Sequence, residues 1–146
     1  MRHCDSCDEP AIKRTVFVLK DGSVEKHHCY FHAIQENLIE APLNDFVSVA
    51  NTLNRPVNAV AFVAEAIHRA DEIKTAQDIC LAVRDSAEYR FSGLCYEVLH
   101  RWAIDTAEDI GMVAISLMNA GAIPQVENVS AEDFRSLNYL FNNSSG

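Results

Sequence analysis

Residues 4–32 read CDSCDEPAIKRTVFVLKDGSVEKHHCYFH. The stretch begins with Cys4-Asp5-Ser6-Cys7 and ends with Cys29-Tyr30-Phe31-His32. Each pair has two intervening residues, and 21 residues separate the pairs. This is the spacing of a structural zinc site. Two ligands three apart on a tight turn can aim at one ion, and two such turns complete a tetrahedron. The expected ligands are therefore Cys4, Cys7, Cys29 and His32, holding one structural zinc with no open position for a catalytic water. For the fourth ligand, His3, His27 and His28 are also near. His28 adjoins Cys29 and would have difficulty facing the same ion, whereas His32 has the right offset. A thioredoxin-like redox pair at Cys4 and Cys7 would open a helix inside a βαβ unit, and nothing here reads that way.

Between the pairs the chain reads as a β-hairpin. Ile12 to Leu19 is rich in β-branched and aromatic residues, Asp21-Gly22 is a turn signal, and Ser23 to His28 returns. About 40 residues bury too little apolar surface to fold alone, so metal binding should supply much of the folding free energy.

Cys4-Asp5-Ser6-Cys7, Pro10-Ala11, the Asp21-Gly22 turn and His28-Cys29-Tyr30-Phe31-His32-Ala33 together resemble the N-terminal zinc module of bacterial McsA-type proteins. Those proteins activate a protein-arginine kinase in the Clp protease stress system. The resemblance covers residues 1–33 and implies a structural metal site. The family's last ligand is typically Cys, where this chain has His32. Beyond residue 33 the chain does not look like an McsA-type protein, so kinase activation is not implied.

A short helix is expected from Ala33 to Ile39, ended by Glu40-Ala41-Pro42, since a residue preceding proline disfavours helix. This divides the chain into a zinc-binding hairpin module, 1–42, and a helical domain, 43–146. The expected class is mostly α, a small zinc-bound hairpin followed by an all-α helical bundle.

In the second part Asn44 or Asp45 caps a helix to Leu53. From Val57 the apolar period is helical. Val60, Val63, Ala64 and Ile67 form one stripe, and Ile79, Ala82 and Val83 a second on a helix from Ala76 to Tyr89. Leu94, Cys95, Val98, Leu99 and Trp102 form a third. Asp105-Thr106-Ala107-Glu108 has the form of a capping box, followed by Ile110, Val113, Ala114, Leu117 and Met118, with Gly121 as the stop. Ser130-Ala131-Glu132-Asp133 opens a last short helix carrying Phe134 and Leu137, and Asn142 to Gly146 is a polar tail.

Phe91-Ser92-Gly93, Val98-Leu99-His100-Arg101-Trp102, Thr106-Ala107-Glu108-Asp109-Ile110-Gly111, Leu117 with Gly121, and Ser130-Ala131-Glu132-Asp133-Phe134 resemble a small uncharacterised bacterial protein family over residues 57–141. That family usually has Trp-Gly where this chain has Trp102-Ala103. The resemblance implies a helical fold and no particular activity.

The 146 residues carry 12 Lys and Arg against 21 Asp and Glu, a net charge of −9. Nucleic-acid affinity comes mainly from Lys and Arg, so duplex DNA is not an expected partner. Residues 1–42 balance at −2 and residues 43–146 at −7. Lys13, Arg14, Lys20 and Lys26 are the cations that could gather on one hairpin face. Hydrophobic residues make up 49%, with no apolar run near the roughly 20 residues of a membrane span and an N-terminus unlike a secretory signal. With five cysteines, an odd number, a reduced, cytoplasmic protein is expected.

Other candidate residues read as structural. Asp105, Glu108 and Asp109 suit a helix start better than a paired-carboxylate acid/base site. Trp102 lies on an apolar stripe, with His100 beside it and exposed. His68 has no visible partner, and Cys80 and Cys95 behave as small core residues. No Gly-rich phosphate loop, H-E-x-x-H or serine-nucleophile motif occurs. The leading expectation is a non-enzymatic interaction or adaptor protein with a protein partner. An RNA- or ribosome-associated factor and an enzyme with an unfamiliar site are the alternatives.

Overall fold

The computed structural model describes residues 2–138; the tail from Asn142 to Gly146 lies outside them. The chain divides into two compact units, Met1–Leu43 and Asn44–Gly146. The described residues are mostly α-helical, with one small antiparallel hairpin at the N-terminal end.

In the first unit β1 (Lys13–Leu19) pairs with β2 (Gly22–His28), and Leu19 faces Gly22. The loop is therefore Lys20-Asp21, one position earlier than Asp21-Gly22 suggests. Gly22 becomes the first residue of β2 at φ +144, a value that favours glycine. Helix α1 spans Tyr30–Gln35 rather than 33–39. It starts early because the Cys29 thiol caps it, accepting from the His32 N–H. It stops early because Asn37 turns left-handed at φ 61, well before Pro42.

The second unit contains α2 (Leu43–Leu53, begun at the boundary), α3 (Val57–Arg69), α4 (Ala76–Phe91), a 3₁₀ turn at Ser92–Leu94, α5 (Cys95–Arg101), α6 (Ala107–Asn119) and α7 (Ala131–Arg135). Helix α3 is buried almost all round and packs against α4 and α6. Phe62 from α3, Phe91 and Trp102 form an aromatic cluster with ring centroids 5.4–5.9 Å apart. Trp102 is fully buried, as its stripe suggested. Ala82, read as inward, is only half-buried.

Helix ends follow a common device. After α1, α2, α5 and α6 the chain closes through Asn37, Asn54, Ala103 and Gly121, each at positive φ. In each case the next residue's N–H reaches back to Ala33, Ala50, Leu99 or Leu117. These are Schellman closures. Asparagine and glycine tolerate the left-handed region; alanine does so at a cost of about 1–2 kcal/mol. The capping box of α6 is Thr106 with Asp109, one residue later than the expected Asp105 with Glu108. Thr75 with Asp78 caps α4 in the same way. Gly111 on α6 has a different role: a Cβ there would overlap the buried Phe134 side chain of α7.

Opposite outcomes are expected at two of these positions. Ala103→Gly should stabilise the helical unit by about 1 kcal/mol. Gly111→Ala should destabilise it by about 1–3 kcal/mol by displacing Phe134. Urea unfolding followed by the fluorescence of the single tryptophan reads both.

Candidate metal centre

Backbone hydrogen bonds bring the two halves of the site together. In the first turn the Cys4 N–H donates to the Glu9 carbonyl at 2.8 Å. Asp5 then clamps this turn to β2: its N–H donates to the His27 carbonyl, and its Oδ2 accepts the His27 N–H, both at 2.9 Å. Ile12 donates to the His28 carbonyl at 2.8 Å. The second pair leaves β2 directly, with Cys29 at the start of α1 and His32 one turn along it.

The donor atoms of Cys4, Cys7, Cys29 and His32 all lie within 4.8 Å of one another and could hold a metal ion. Cys7 Sγ and Cys29 Sγ are 3.7 Å apart, far beyond the 2.05 Å of a disulfide, and every cysteine is free. His32 Nδ1 stands 3.4 Å from Cys4 Sγ and 3.3 Å from Cys29 Sγ. The Ser6 N–H points at Cys4 Sγ and the His32 N–H at Cys29 Sγ, at 3.4 and 3.5 Å. Amide donors of this kind favour thiolates. Burial pushes the Cys4 thiol up, but the Cys29 and Ser6 N–H groups and the neighbouring thiols outweigh it and leave Cys4 below its ordinary value. Cys7 goes the other way, raised by burial and by the nearby Cys4.

The other nearby histidines do not join this cluster. His28 is buried and turns its Nε2 to Glu36 at 2.6 Å, while His27 pairs with Glu25 at 2.7 Å and His3 is exposed. Phe31 meets the His32 ring edge-on at 5.2 Å.

Elsewhere the candidate residues form structural contacts. Asp109 Oδ2 accepts from the backbone N–H groups of Asp105 and Thr106, and its Oδ1 accepts from Arg55 at 2.6 Å. Glu108 pairs with Arg135 at 2.7 Å. His100 is exposed and pairs with Asp105, whose carboxylate raises its pKa. Burial pushes the Cys80 thiol up to about 12, and Cys95 is also buried. The Arg55–Asp109 pair and the bidentate Arg90–Glu65 pair, at 2.7 and 2.8 Å, were invisible to sequence reasoning because their members are far apart in the chain.

The hairpin cations also separate. Lys13 and Lys26 share one face, Arg14 lies on the other and Lys20 sits in the loop, so the four do not gather. What the charge count missed is the apolar run Val16-Phe17-Val18-Leu19. It does not alternate, and therefore places apolar groups on both faces of a two-stranded sheet. The continuous run was itself the signal.

No family model, curated protein or solved structure matches the chain. No helix among the described residues is long and apolar enough to cross a membrane.

Asp109 carries a pH prediction. Burial raises its pKa, but the Asp105 N–H, Arg55 and the Thr106 N–H together hold it below the usual carboxylate value. A depressed folded pKa contributes stability above the unfolded value of about 3.9, and this is lost as pH falls through the folded value. The melting temperature should therefore drop as pH falls below about 4. Asp109→Ala should remove that component and cost about 2–3 kcal/mol at neutral pH, through the lost cap and the Arg55 left unpaired.

Proposed function

We propose that the chain is a non-enzymatic interaction protein. In this reading a structural zinc, held by Cys4, Cys7, Cys29 and His32, fixes a small hairpin for recognition of a protein partner. One observation carries it: four protein donors lie within 4.8 Å of one another, three of their separations close to the edges of a tetrahedron. Zinc bonds of about 2.3 Å to sulfur and 2.0–2.1 Å to nitrogen imply S···S edges of about 3.8 Å and S···N edges of about 3.6 Å. The separations of 3.7, 3.4 and 3.3 Å fall near those edges. Three thiolates and one imidazole form a donor set suited to zinc. Four protein ligands leave no position for a substrate or water, so the ion organises the chain rather than performing chemistry.

The composition of the first unit supports this role. Its buried residues are Cys4, Pro10, His28, Cys29, Tyr30, Ala33 and Ile34. Two of those seven are metal donors, so little apolar core remains to hold the hairpin without the ion. Meanwhile Val16, Phe17, Val18, Leu19 and Val24 are exposed. Phe17, Leu19 and Val24 lie on one face of the hairpin and Val16 and Val18 on the other, and exposed apolar side chains grouped in this way are characteristic of an interaction site. Three zinc thiolates also suit a reducing, cytoplasmic setting.

Metal analysis of protein purified without chelator should give one zinc per chain. Cys7→Ser should abolish metal binding and unfold the hairpin, read by loss of amide dispersion from residues 2–38, while most far-ultraviolet helical signal remains. Metal-free protein with an intact hairpin would refute the zinc reading. Loss of all helical signal would show that the two units fold together.

A further inference from the structure

Residues opposite each other in an antiparallel pair project from the same side of the sheet. One face of the hairpin therefore carries Lys13 with His28, Thr15 with Lys26, Phe17 with Val24, and Leu19 with Gly22. Phe17, Leu19 and Val24 are 38%, 55% and 40% exposed. Lys26 Nζ lies 5.7 Å from the Phe17 ring centroid. The strands give this face two lysines and no carboxylate. Glu36 at the end of α1 reaches the end of the face away from the loop, where it is held by His28 at 2.6 Å, and neither lysine forms an ion pair among the described residues. On the opposite face Arg14 and His27 both bind Glu25, at 2.8 and 2.7 Å, so the charge of Arg14 is already answered. A chain of net charge −9 thus presents a local strip that is apolar and cationic.

We propose that this face docks an acidic segment of a protein partner, with apolar side chains against Phe17, Leu19 and Val24 and carboxylates at Lys13 and Lys26. The proposal rests on the interaction reading above and names the chemistry of the partner. Charge complementarity favours an acidic partner. The lysine stems extend the apolar strip while their ammonium groups remain at its rim, an arrangement that steers association and fixes register. Single-stranded nucleic acid fits less well. It calls for stacking platforms along a cationic groove, whereas this face has one aromatic ring, and Leu19 and Val24 offer a base or phosphate nothing polar. A second copy meeting it through the same face would offer lysines rather than the carboxylates they call for.

The test is selection of a random dodecapeptide display library on the intact, metal-loaded protein. Recovered peptides should combine Asp or Glu with Leu, Ile or Phe. A synthetic copy of the best binder should lose affinity about tenfold or more with Phe17→Ser and with Lys13→Glu combined with Lys26→Glu. Val18→Ser, on the opposite face, should leave it unchanged, and all variants should retain their metal. Neutral or basic peptides, or no enriched peptide, would overturn the proposal. So would a uridine oligonucleotide that binds more tightly than any peptide and responds to the same variants, or concentration-dependent dimers abolished by Phe17→Ser. Peptide binding that responds to Tyr89→Ser on α4 and to no hairpin variant would overturn this face while leaving the interaction role standing.

Discussion

The N-terminal unit gathers four donor atoms within 4.8 Å of one another. Cys4, Cys7, Cys29 and His32 come from two turns separated in sequence by a whole hairpin. The strands make that separation productive, because pairing returns the chain to its starting end, where Asp5 and His27 bind each other's backbone. Loop closure costs conformational entropy that grows slowly with length, and here the backbone ladder bonds help to offset it. Three thiols close to one another also repel once ionised. A dication at their centre would turn that repulsion into attraction.

The helical unit is held by a different kind of interaction. Its stability resides in apolar burial around α3, where Phe62, Phe91 and Trp102 meet, and in the fit of Phe134 against Gly111. Polar groups in this unit mainly define where helices begin and end. Arg55 and Arg90, each tied to a carboxylate distant in sequence, join segments that the apolar stripes alone do not align. Asp109 serves both purposes, since one oxygen caps α6 and the other holds Arg55.

The meeting of Cys4, Cys7, Cys29 and His32 was legible because the spacing within each pair is local. The apolar stripes of α3, α5 and α6 were legible for a similar reason: period and turn residues are written in neighbouring positions. Element boundaries were less so. Asp105-Thr106-Ala107-Glu108-Asp109 contains two overlapping boxes, and the choice of Thr106 with Asp109 involves Arg55, 54 residues away. The early start of α1 was hidden because cysteine is not an ordinary capping residue, yet Cys29 caps. Ala103 was hidden because alanine gives no sign of left-handed backbone; only the departure from Trp-Gly hinted at that turn. On the hairpin, counting cations left open whether they gather on one face, whereas register, which assigns each residue to a side, separates them.

The five thiols fall into two chemically distinct groups. Cys80 and Cys95 are sealed in the helical unit, and Cys80 stays protonated to about pH 12. Alkylating reagents attack thiolates that they can reach, so neither buried thiol reacts while the helices stay folded. Cys4, Cys7 and Cys29 are then the only thiols whose reactivity changes with the state of the N-terminal unit. Cys4 and Cys29 are buried in the folded unit, so all three become available together only when that unit opens. The number of alkyl groups a native chain takes up, counted by mass, is thus an internal gauge of whether the N-terminal unit is closed, and it needs no added label.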